Sequence, residues 1–106
     1  MSAQKKRIEY IRCVDCKAEE FDRQGYDVKA DLEGWSKPAT IMGLVPDISA
    51  ERHNRVIIGK MLREDELGSV EKDYRKFIEY ASKNENTSFR VYVISEDIEP
   101  SLHKIY

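Results

Sequence analysis

A chain of 106 residues with 41% hydrophobic content suits one domain with one core, which leaves no room for a separate regulatory module and excludes global disorder. Its 18 Lys and Arg residues nearly cancel 20 Asp and Glu residues, for a net charge of -2, so it lacks the overall basic footprint of a typical nucleic-acid binder. No apolar run approaches the roughly 20 residues of a membrane span, and Gln4-Lys5-Lys6-Arg7 is no apolar signal region, so a cytosolic protein without membrane contact is expected.

Ile8, Ile11, Val14, Ala18 and Phe21 recur at steps of three and four residues. That spacing predicts an amphipathic helix over residues 4–23, stopped at Gly25. It carries the one local basic cluster, Lys5, Lys6, Arg7 and Arg12, which reads either as a solvated helix face or as a weak nucleic-acid contact. It also carries Cys13-Val14-Asp15-Cys16, half of a zinc or redox motif. There is no further Cys, and His53 and His103 are remote in sequence. A redox pair belongs at the start of a helix that follows a strand, not inside a helical pattern. The two are read as ordinary helix cysteines, with a metal or disulfide bridge between two subunits as the alternative.

Tyr26 to Leu32 alternates with period two and predicts a half-buried strand, ended by a loop at Gly34-Trp35-Ser36-Lys37-Pro38. A second extended segment runs from Thr40 to Glu51, punctuated by Gly43 and Pro46, and Arg52-His53-Asn54 forms the turn after it. Arg55 to Leu62 is apolar on both faces, as a central covered strand should be, and pairs with its predecessor as a hairpin. The helical period returns from Glu66 to Ser82, with Asp65 or Ser69 as cap. Phe89 to Ile94 supplies a fourth strand, and Pro100 to Tyr106 a short final turn of helix. A helix crossover between the third and fourth strands lets the fourth join in parallel, which favours an α/β arrangement. Tyr26, Trp35 and Tyr92 serve either as base-stacking aromatics or as packing residues, with Trp35 the one expected to be exposed.

This order of elements, with Gly25-Tyr26-Asp27-Val28, Pro38, Ile41, Gly43, Pro46-Asp47-Ile48 and Val56-Ile57-Ile58-Gly59, resembles the PD-(D/E)xK nuclease superfamily. It looks most like small archaeal nuclease-like and Holliday-junction-resolvase-like proteins. The resemblance implies a restriction-endonuclease-like αβββαβ core with a mixed four-stranded sheet. In such proteins the Asp of the Pro-Asp pair and an acid on the next strand hold a divalent metal, and a lysine two residues on orients the attacking water. Alternate strand residues share a face, so these groups converge. Where similar proteins read Gly-Glu-x-Lys-Thr, this chain reads Gly59-Lys60-Met61-Leu62-Arg63. Only Asp47 survives of the three, and Lys60 puts an ammonium where the acid belonged.

The resemblance therefore implies a catalytically degenerate nuclease-like domain, needing no cofactor, that binds nucleic acid or a protein partner. Asp47 and Lys60 are its vestigial site, facing one another in the old cleft. An alternative is an active magnesium-dependent DNA endonuclease with a relocated carboxylate, Asp47 and Glu64 being its metal ligands and Asp31, Glu51, Asp65 and Glu20 bordering or outer acids. A third is a structural subunit that forms a homodimer or pairs with an active homologue. No nucleophilic triad and no glycine-rich phosphate loop is present.

Overall fold

The computed structural model describes residues 3–94 and 99–106. Helix α1 (Ala3–Arg23) opens the chain and ends in a Schellman closure. The Tyr26 N–H donates to the Phe21 carbonyl and the Gly25 N–H to that of Asp22, with Gly25 at φ 89°, a left-handed conformation that costs glycine little. The Phe21 and Tyr26 rings meet edge to face at 5.3 Å across this turn. The chain thereby reverses directly into strand β1 (Asp27–Ala30).

Strand β1 is shorter than its alternation suggests, because the chain turns away after Ala30 through Leu32 and Trp35. The long second extended segment likewise contracts to β2 (Ile48–Arg52), preceded by a separate two-residue turn between Ile41 and Leu44. Strands β2 and β3 (Arg55–Leu62) form the expected hairpin. His53 and Asn54 at its tip have φ of 48° and 68°, as a tight hairpin turn requires.

The single helix expected from Glu66 to Ser82 is divided. A 3-10 helix (Glu64–Ser69) is followed by one turn, α2 (Val70–Asp73), and by α3 (Arg75–Lys83), with Tyr74 between them at φ -119°. Ser69 stands at the N-cap of α2 but its side chain makes no capping bond, and Asp65 lies inside the 3-10 helix. The side chain of Glu66 instead accepts the Arg63 N–H at 2.9 Å, and the Ser69 hydroxyl is drawn to Asp73 at 2.8 Å. The break lets the Tyr74 ring stack on Phe77 at 6.1 Å while still facing β3.

Strand β4 (Thr87–Val93) lies parallel to β3, as the crossover predicts. The final segment is not a helical turn: Ser101–Ile105 is strand β5, antiparallel to β4. The sheet therefore has five strands, in the order β1-β2-β3-β4-β5, rather than four. All five residues of β5 are exposed, so no apolar alternation marks it. Backbone pairing holds it, together with Tyr106, whose ring stacks on Phe89 at 5.8 Å and whose hydroxyl donates to Glu71.

The arrangement is α/β, with one helical layer on each face of the sheet. Against α1, Cys13, Val14, Ala18 and Phe21 pack on Ala30, Ile48, Ala50, Ile57, Met61 and Tyr92. On the other face, Ile58, Leu62, Phe89 and Val91 pack on Val70, Phe77 and Ala81. Strand β3 feeds both clusters, as its unbroken apolar run requires. Among the described residues, no helix is long and apolar enough to cross a membrane.

Phe77 is fully buried at the centre of the second cluster, with its ring 5.2 Å from that of Phe89. Phe77→Ala is expected to cost about 3–5 kcal/mol, read as a lower urea midpoint with an unchanged slope.

Candidate functional site

Pro46 and Asp47 lead into β2 at the end where β1 has already turned away. The Asp47 N–H donates to the Gly59 carbonyl at 3.0 Å, and its own carbonyl accepts the Asp31 N–H at 2.9 Å. These bonds place the carboxylate between β3 and α1. At 1% exposure, Asp47 is the one charged side chain buried among the described residues. A buried carboxylate needs its lone pairs satisfied, and three groups do so. Oδ2 accepts the Met61 N–H at 2.7 Å, while Oδ1 accepts the Tyr10 hydroxyl from α1 and the Lys60 ammonium at 3.3 Å. The Lys60 Nζ also lies 5.6 Å from the centre of the Tyr74 ring.

Asp47 and Lys60 thus form an ion pair in which the acid is buried and the lysine side chain is 21% exposed. Burial first, and then the adjacent Asp47 charge, push the Tyr10 hydroxyl far above its usual pKa. Tyr10 is therefore a fixed proton donor to the carboxylate. Burial, followed by the charges of Glu66 and Asp47, raises Tyr74 in the same direction.

Above this network opens a cleft of about 360 Å³, walled by Lys6, Arg7, Tyr10, Lys60, Arg63, Glu66 and Tyr74. Four of these are cations and one is an acid. Arg63 donates to the Lys6 carbonyl at 2.7 Å, which joins the end of β3 to the first turns of α1. The predicted basic cluster divides here: Lys6 and Arg7 line the cleft, and Lys5 and Arg12 do not. Helical period explains the division, since Arg7 continues the Tyr10, Val14 and Ala18 stripe that meets the sheet while Lys5 and Arg12 lie two turns apart on another face.

The acids that a divalent metal would need do not assemble. Glu64 and Asp65 are exposed on the 3-10 helix and do not line the cleft. Glu51 pairs across β2 with Val56 and Asp27, Asp31 holds Lys37 at 3.0 Å, and Glu20 holds Lys17 at 2.8 Å. Among the described residues, no three Asp, Glu, His or Cys side chains come together as a ligand set. Lys60 puts its own positive charge on the remaining carboxylate, so the residues do not fit a magnesium ion. Leu62, where the resemblance would put a water-orienting lysine, is core.

A larger hollow of about 790 Å³ lies on the other side of Arg7 and Tyr10, lined in part by Asp15, Asp31, Glu33 and Lys37. Asp15 accepts the Trp35 indole N–H there at 3.0 Å. Trp35 is half-buried by this bond and by the first core cluster, Tyr26 lies against Phe21, and Tyr92 is 2% exposed. None of the three is a free stacking platform. Cys13 is 1% exposed, so a bridge through it to another subunit would require α1 to leave the sheet. Burial and then Glu99 raise the Cys16 thiol, which keeps it protonated and a poor metal ligand.

Tyr10, Arg63 and Tyr74 are site residues that the sequence alone leaves unmarked. A signal for Tyr10 exists: a phenol on the buried stripe of a helix needs a hydrogen-bond partner inside.

Lys60→Ala leaves Asp47 buried without its counter-charge and is expected to cost about 3 kcal/mol in chemical denaturation, whereas replacing both residues by apolar ones costs much less. The raised Tyr10 pKa carries a pH dependence of definite sign. The unfolded chain loses the phenolic proton as pH rises through about 10 while the folded chain keeps it, so stability falls with rising pH from there upward. Tyr10→Phe should flatten that alkaline slope, measured as midpoint against pH.

No family model, curated protein or solved structure matches this chain, so the reading of the site rests on its own geometry.

Proposed function

We propose that this chain is a catalytically silent nuclease-like domain whose cation site has become an anion site, and that it binds the phosphodiester backbone of nucleic acid. The observation that carries this reading is the Lys60 ammonium seated on Asp47, beneath a rim of Lys6, Arg7 and Arg63. The succession of helix, three antiparallel strands, helices and a parallel strand supports the resemblance to the PD-(D/E)xK superfamily.

In an active member of that superfamily two acids and a metal balance the phosphate being cut. Here the Asp47 carboxylate is neutralised internally by Lys60, which leaves Lys6, Arg7 and Arg63 to face a phosphate. Lys6 and Arg7 make no ion pair among the described residues. Glu66 is the one acid on the rim; it accepts the Arg63 N–H and keeps its charge, and the rim cations outnumber it. The rim can hold an anion, while among the described residues no set of ligands gathers at Asp47 to hold a Lewis acid.

Fluorescence anisotropy with a labelled DNA duplex tests this. Binding should be micromolar at best and weaken steeply with salt, with a log–log slope of about -3 for three or four phosphate contacts. Lys6→Ala combined with Arg7→Ala should reduce affinity by at least about tenfold. No single-stranded, duplex or branched DNA should be cut in magnesium or manganese, and Lys60→Glu should make the melting temperature rise with magnesium without conferring cleavage. Cleavage that Asp47→Ala abolishes, or no binding at low ionic strength, would refute the proposal.

A further inference from the structure

The turn between Ile41 and Leu44 is built like a hairpin tip, with reciprocal backbone bonds of 2.7 and 3.0 Å between those two residues. Its central pair, Met42 and Gly43, has φ of 52° and 88°. Such turns favour Asn, Asp or Gly at the first position, because a side chain with Cβ is strained there. Methionine occupies it nonetheless, 51% exposed. The two flanking residues do the anchoring: Ile41 and Leu44 pack against the cluster of Phe77, Val70 and Phe89. A turn anchored on the core by its two flanking residues therefore holds the Met42 side chain out into solvent.

At the foot of this turn, Leu44 borders a depression of about 480 Å³ together with Lys72, Asp73, Arg75 and Lys76. The three cations are exposed and make no ion pair among the described residues, whereas Asp73 is engaged by the Ser69 hydroxyl. Tyr74, between Asp73 and Arg75, lines the cleft above Asp47. The α2–α3 junction thus carries cations on one side and the rim of the cleft on the other.

We infer that the Ile41–Leu44 turn is a wedge, with Met42 inserting between base pairs of a duplex while Lys72, Arg75 and Lys76 hold the phosphates beside it. The inference rests on the nucleic-acid reading above and extends it to a duplex partner. An exposed apolar tip, with three cations beside the Leu44 at its foot that make no ion pair among the described residues, matches the chemistry of a duplex, whose stacked bases accept a wedge between flanking phosphates. Methionine gives this turn nothing that Asn or Gly would not give at less strain, so what it adds at the tip is an apolar contact surface.

The test uses the full chain and a duplex carrying 2-aminopurine, whose fluorescence rises when its neighbour unstacks. The wild-type protein should enhance that fluorescence on binding. Met42→Asn, which suits the left-handed turn and should fold at least as well, should abolish the enhancement and weaken binding about tenfold, the loss of one good base-step contact. Lys72→Ala with Lys76→Ala should weaken binding and lower the salt slope while keeping a smaller enhancement. If Met42→Asn leaves affinity and fluorescence unchanged while the Lys6 and Arg7 substitutions still weaken binding, the wedge is refuted and the cleft reading stands. Should the wild-type chain bind no duplex, both fall. Met42-dependent binding to phosphatidylserine vesicles in place of DNA would assign the tip to a membrane surface and overturn the inference.

Discussion

A carboxylate that water cannot reach governs the architecture around it. Burying the Asp47 charge would be prohibitive unless each oxygen found a donor, and the donors come from separate parts of the chain. Met61 supplies a backbone N–H from β3 beyond the last residue that β2 pairs with, Lys60 supplies charge from the preceding position, and Tyr10 supplies a hydroxyl from α1. Each bond ties a different part of the chain to the same carboxylate. The acid thereby sets the position of α1 along the sheet and the point at which β2 begins.

The packing of α1 makes this reach possible. Ala18, Ala30 and Ala50 are fully buried where the helix crosses β1 and β2, and their small side chains let the helix lie close. Close approach brings Tyr10 over the end of β2 and carries Lys6 and Arg7 past the sheet to overhang the cleft. The opposite face is packed differently. Tyr74, Phe77, Phe89 and Tyr106 form a chain of ring contacts that brings together the α2–α3 junction, β4 and the end of β5. That chain places Tyr74 above Lys60, so both layers contribute a wall of the same cleft.

An ammonium tethered on a strand differs from a metal ion in what it can do. A divalent cation accepts several oxygens at once and can activate water bound to it, whereas Lys60 offers three donors, has no open coordination site, and directs part of its charge at Asp47. Lys60 therefore meets the charge that a buried acid demands without supplying any of that metal chemistry.

Much of this was legible from local pattern. The three-and-four spacing from Ile8 to Phe21 specified α1, the doubly apolar run from Val56 to Leu62 specified a strand covered on both faces, and strand alternation put Lys60 on one face with Ile58 and Leu62. Each rests on periodicity within one segment, and periodicity is what a sequence displays. The break at Tyr74, the strand β5 and the partnership of Tyr10 with Asp47 carry no such mark. Tyr74 leaves helical geometry so that its ring can meet Phe77 and Lys60, while β5 forms because β4 offers unpaired backbone groups along its open edge. Tyr10 finds its acceptor 37 residues away. In all three cases the deciding partner lies on another element, so the energy that selects the conformation exists only after the chain has folded.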